Sequence, residues 1–77
     1  MDTIRANDNT VRFEGRRPLM DHLLGLLKAV ARGDLNRPRF KTKPDPAITL
    51  VCNTEKQADR YEDIGMYVDR VRRDTRH

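Results

Sequence analysis

The chain contains no tryptophan, a single cysteine (Cys52), and two histidines (His22 and His77) far apart in the sequence. Each scarcity removes a class of protein. One thiol excludes an internal disulfide, and Cys52 with two distant histidines makes no ligand cluster for a structural metal. Two Phe and two Tyr leave few bulky core-fillers in a chain that is 36% hydrophobic. The longest apolar helix candidate, "LMDHLLGLLKAVA", is broken by charge and too short to span a bilayer. The opening "MDTIRANDNT" lacks the apolar run of a secretion signal. Together with the unpaired thiol, this predicts a cytoplasmic protein without a membrane partner.

Catalytic signatures are missing as well. There is no phosphate-cradling glycine loop, no paired-cysteine metal motif and no glycine-flanked nucleophile. Cys52 closes an apolar run, where a cysteine acts as a small hydrophobe. His22 stands beside Asp21 on the polar side of a helix candidate. The expectation is a protein that is not an enzyme, with no cofactor, no metal and no small-molecule substrate.

Charge is what the chain has in quantity. Sixteen Lys and Arg stand against twelve Asp and Glu, a net charge of +4, and twelve of those cations are arginine. The planar guanidinium suits phosphate and carboxylate better than an ammonium does. An excess of this kind favours polyanions, although the acids dilute it.

Seventy-seven residues make one domain at most. Residues 1–9 are polar and expected to be flexible, with Asn7-Asp8-Asn9 as a turn. Residues 10–77 form the domain, with a basic, proline-containing inter-helix linker at 34–46. "TVRFE" (10–14) alternates Val11 and Phe13 against polar neighbours, a short strand signal. Pro18 near the start and Gly33 past the end bound a first helix over about 18–32. Leu19, Met20, Leu23, Leu24, Leu26, Leu27, Val30 and Ala31 share its broad apolar face. Thr54 and Gln57 fit a capping box opening a second helix over about 55–73. There Ala58, Tyr61, Ile64, Gly65, Val68 and Val71 form a narrower stripe. Gly65 inside that helix is explained either by close approach of a neighbouring backbone or by plain tolerance. "AITLVC" (47–52) is β-branched and apolar, and reads as a strand able to pair with 10–14 or with its own copy. The expected fold is small α+β and mainly α: two amphipathic helices with one or two short strands.

The most suggestive stretch is "RPRFKTKP", where Arg37, Arg39, Lys41 and Lys43 recur at every second position. If it is extended, all four share one side, about 7 Å apart, while Phe40 faces the other. That geometry suits tracking of phosphates. It equally suits a solvated linker held extended by its prolines. Arg70 and Arg73 near the end of the second helix form a second basic cluster. The leading expectation is therefore a small regulatory protein that contacts nucleic-acid phosphates through Arg37, Arg39, Lys41, Lys43, Arg70 and Arg73. The alternative is a protein–protein module, an inhibitor or adaptor of a larger complex. It would work through the helix faces, with Leu23, Leu27, Val30, Tyr61, Ile64 and Val68 as its interface. Because two helices enclose little core, a homo-oligomer, most simply a homodimer, is expected.

Overall fold

The computed structural model describes residues 1–42 and 47–74, apart from the side chains of Thr42, Arg73 and Asp74. Six elements follow one another: β1 (Asp2–Asn7), β2 (Thr10–Glu14), α1 (Arg17–Ala31), β3 (Arg39–Thr42), β4 (Ile48–Val51) and α2 (Glu55–Asp74). The strands form one antiparallel sheet in the order β1-β2-β4-β3. This corrects the expectation of a mainly α unit with one or two short strands. A four-stranded sheet is a full layer, and both helices pack on one of its faces.

The two strands legible in the sequence are the central ones. In β2 and β4, Val11 stands opposite Leu50 and Phe13 opposite Ile48. The pairing within one chain is antiparallel because β3 enters first at the edge and β4 runs back against it.

Both edge strands escaped the sequence reading for a physical reason. Strand β1 has one large apolar residue, Ile4, and it faces away from the helices, 41% exposed. The helix-side position opposite Val11 holds Arg5. Its guanidinium reaches α2 instead of filling a core, pairing with Asp59 at 2.8 Å and Glu62 at 3.0 Å. Residues 1–9, expected to be loose, thus carry a strand tied to a helix by charge. The turn into β2 closes as anticipated, with the Asn9 N–H donating to Asn7 Oδ1 at 2.9 Å. In β3, Phe40 is the one apolar residue, and it packs against the core between two cations.

The core lies between the layers. Alternation puts Val11, Phe13, Ile48 and Leu50 on the helix side of the sheet, and all four are buried. Leu19, Met20, Leu23, Leu27 and Ala31 of α1 meet them, with Ala58, Tyr61 and Val68 of α2. Full burial of each large aliphatic or aromatic side chain contributes roughly 1.5–3 kcal/mol. The sheet therefore supplies the apolar surface that two helices alone lack. Gly65 also has its explanation here: its close neighbour is the ring of Phe13, a side chain and not a backbone.

The helices run antiparallel and are fastened at one end. Helix α1 closes with Gly33 N–H donating to Val30 O at 3.1 Å and Asp34 N–H to Ala31 O at 3.0 Å. These tightened bonds aim Asp34 at the start of α2. There Asp34 Oδ2 accepts from the Tyr61 hydroxyl at 2.6 Å, and Oδ1 accepts from Arg60. At the start of α2 the Gln57 N–H donates to Thr54 Oγ1 at 3.0 Å, half of the expected capping box. The reciprocal bond differs: Gln57 Oε1 takes the N–H of Asn53, at 2.8 Å, and not that of Thr54.

Candidate functional site

The face of the sheet turned away from the helices is open, and its residues can be read across the register. One row runs Ile4, Arg12, Thr49, Lys41, and the next runs Thr10, Val51, Arg39. Asp2 stands opposite Glu14 at the far corner. Acids therefore gather at the β1 corner and cations at the β3 edge. Arg39 and Lys41, two positions apart on one strand, project from the same face about 7 Å apart. Phe40 packs inward between them.

The lead-in to β3 is fixed by side chains from α2 and the residue before its cap. Asn53 Nδ2 donates to Asn36 O at 2.9 Å and to Arg37 O at 3.3 Å, and Gln57 Nε2 donates to Asn36 O at 2.7 Å. Arg37 is thus exposed on a held backbone, next to the cations of β3. Among the described residues, Arg37, Arg39 and Lys41 have no acidic partner. Other cations are engaged by acids: Arg5 with Asp59 and Glu62, Arg12 with Glu14, Arg60 with Asp34.

Of the six cations singled out in the sequence, the structure brings three together. Lys43 lies outside the described residues. Arg70 is exposed on α2, in the layer on the other side of the sheet from Arg39 and Lys41. Arg73 belongs to α2 as well, its side chain outside the description. The linker cluster and the helix-end cluster do not merge into one surface. Arg12 is the cation that sequence reading passed over. It shares the row of Lys41, donating to Thr49 Oγ1 at 3.2 Å and to Glu14 Oε1 at 2.8 Å. Its signal was present in "TVRFE", where it alternates with Val11 and Phe13 and so had to face away from them.

The apolar interface set sits elsewhere. Leu23, Leu27 and Tyr61 are fully enclosed by the chain's own core, and Val68 is buried beside them. Val30 and Ile64 are partly buried against the same core. The large apolar side chains left outward are Ile4, Leu26, Leu35, Met66, Tyr67 and Val71. Leu26, Tyr67 and Val71 border a groove of about 480 Å³ between the start of α1 and the end of α2, with Pro18, His22 and Arg72 at its sides.

Cys52 is buried, and burial pushes its thiol above the ordinary range, which disfavours the thiolate. Among the described residues no three His, Cys, Asp or Glu are grouped as metal ligands. No described helix is long and apolar enough to cross a membrane. Comparison with protein-family models, curated proteins and solved structures finds no match to this chain.

Proposed function

We propose that this chain is a non-enzymatic, cytoplasmic regulatory module that contacts nucleic-acid phosphates with the β3 edge of its open sheet face. The observation that carries the reading is the pair Arg39 and Lys41. They share one face, their spacing is comparable with that of successive phosphates, and no acid among the described residues neutralises them. Arg37 extends the line on a fixed backbone, and Arg12 adds a third cation on the sheet face with the Thr49 hydroxyl between it and Lys41. Contacts of this kind position a nucleic acid without reading its sequence. No aromatic residue lies among the open-face positions of the register, so base stacking is not part of this mode.

Binding through three cations releases condensed counterions, so log affinity should fall with log salt at a slope of about −2 to −3. The triple variant Arg37→Glu, Arg39→Glu, Lys41→Glu should lose retention on nucleic acid while its circular dichroism stays unchanged. Unchanged retention would overturn the reading. The cations would then serve only to keep the β3 edge from pairing with other strands.

A second reading, an inhibitor or adaptor of a larger complex, needs an outward apolar surface. It draws on Leu35, fully exposed in the loop between α1 and β3. That loop is held at Asp34 and Asn36 by bonds to α2, which makes Leu35 a pre-organised anchor. Association through it would be nearly indifferent to salt.

A further inference from the structure

We infer that the outward faces of α1 and α2 form a two-fold interface with a second copy of this chain, helix layer against helix layer, each helix crossing its own copy antiparallel. The inference does not depend on the nucleic-acid reading, because it uses the opposite layer of the molecule.

Its basis is a pattern present on both helices. On α2, Asp63, Met66, Tyr67 and Arg70 fall at i, i+3, i+4 and i+7, which is one stripe of a helix. All four are exposed, and the stripe lies opposite the buried side formed by Ala58, Tyr61, Gly65 and Val68. Met66 and Tyr67 are 56% and 66% exposed, large for apolar side chains in the middle of a helix. On α1, Asp21, Gly25 and Lys28 repeat the acid, the centre and the base at i, i+4 and i+7, and these too are exposed. Seven residues advance about 10.5 Å along a helix, too far for acid and base to pair within one copy. Among the described residues Asp21, Lys28, Asp63 and Arg70 have no ionic partner.

Acid, apolar, apolar, base is its own complement when reversed. In an antiparallel crossing centred between Met66 and Tyr67, Asp63 faces Arg70 of the second copy, and the symmetry makes that contact twice. Met66 then meets Tyr67 of the second copy, a favourable sulfur–aromatic contact. On α1 the same operation sets Asp21 against Lys28. Leu26, next to Gly25, and Tyr67 border one groove between the helices, so both centres lie along that groove. A single axis across the helix layer therefore serves both crossings.

Gly25 supplies a separate argument. A β-carbon built on Gly65 would collide with Phe13, so the fold itself requires that glycine. A β-carbon on Gly25 would meet nothing within 4 Å. Among the described residues nothing packs against Gly25 to explain a residue so poor at sustaining a helix. Close passage of a second α1 explains it.

The partner is a second copy and not an unrelated protein because the charge order matches itself on both helices. The contact is small, for Asp59 and Arg60 at its margin are already held by Arg5 and Asp34. Self-association is accordingly expected in the range of about 1–100 μM, below the strength of a standard-sized interface. The basic open faces of both sheets stay outward and available.

Sedimentation equilibrium of the full chain over a concentration series tests this. Asp63→Arg and Arg70→Asp each set like charges together twice and should weaken association about tenfold or more. The double variant Asp63→Arg with Arg70→Asp should restore it. Gly25→Gln should weaken association while raising the melting temperature. A chain that stays monomeric to about 1 mM overturns the inference. So does a dimer indifferent to either charge reversal, or a double swap that fails to recover. Nucleic-acid retention should be unaffected by Gly25→Gln at concentrations where the chain is monomeric, so the two readings fail separately.

Discussion

The ring of Phe13 on β2 fills the space that a β-carbon on Gly65 of α2 would need; a methyl there would stand 2.8 Å from Cδ1 and closer still to Cε1. Phe13 is fully buried at the centre of the core, so the ring has nowhere to retreat. The glycine is what lets the helix lie this close to the sheet.

Gly65→Ala should therefore destabilise the protein by roughly 1–3 kcal/mol through overpacking, despite alanine's better helix propensity. Gly25→Ala should do the reverse, adding up to about 1 kcal/mol, because its side chain enters open space. Denaturant titration of the two variants beside the parent measures both. Shifts of the same sign would mean that Phe13 and α2 yield more easily than this packing implies.

The Tyr61–Asp34 bond predicts how stability depends on pH. The Tyr61 hydroxyl first, then Arg60, hold the Asp34 carboxylate below its usual range. Its contribution is present above the unfolded value and is lost as pH falls through the lower folded value. Burial first, then the bond to Asp34, pushes Tyr61 up to about 12. That contribution is full below the ordinary phenol value of 10.0 and disappears as pH climbs towards the folded value. Melting temperature against pH should fall on both flanks. Tyr61→Phe should cost roughly 1.5–3 kcal/mol at neutral pH, the range for a hydrogen bond to a charged group. It should also shrink the alkaline fall to the part that the buried Cys52 thiol contributes, and leave a smaller acid one.

Asn53 and Gln57 fix the approach to β3 by donating to the carbonyls of Asn36 and Arg37. Gln57→Ala removes that bond and also strands the Asn53 N–H. A loss of about 1–2 kcal/mol is expected. Amide hydrogen exchange should accelerate from Arg37 into β3, while the central strands stay protected. Uniform acceleration across the sheet would show that this edge unfolds only with the whole domain.

The limits of sequence reading follow from where each element keeps its apolar residues. Strands β2 and β4 place Val11, Phe13, Ile48 and Leu50 in strict alternation, and α1 concentrates its leucines on one side; such periodicity survives without a structure. Strand β1 replaces the core residue with Arg5, whose partners Asp59 and Glu62 are distant in sequence. Strand β3 offers Phe40 alone. A strand held by neighbours' backbones and by a remote ion pair leaves no local pattern. The same cause turned the helix faces from candidate interfaces into core, since the layer that covers them was half invisible.

Local chemistry settled the amphipathic helices, the two central strands, the Asn7–Asn9 turn and the sidedness of Arg39 and Lys41 about Phe40, because each depends on near neighbours and a repeat of two or about 3.6 residues. Assembly alone decided the rest. Antiparallel register brought Arg12 level with Lys41, the layered packing parted Arg70 from β3, and the enclosure of Leu23, Leu27 and Tyr61 left Met66 and Tyr67 as the face turned outward. Those outcomes depend on residues far apart in the chain meeting in space, and no window along the chain contains both members of such a pair.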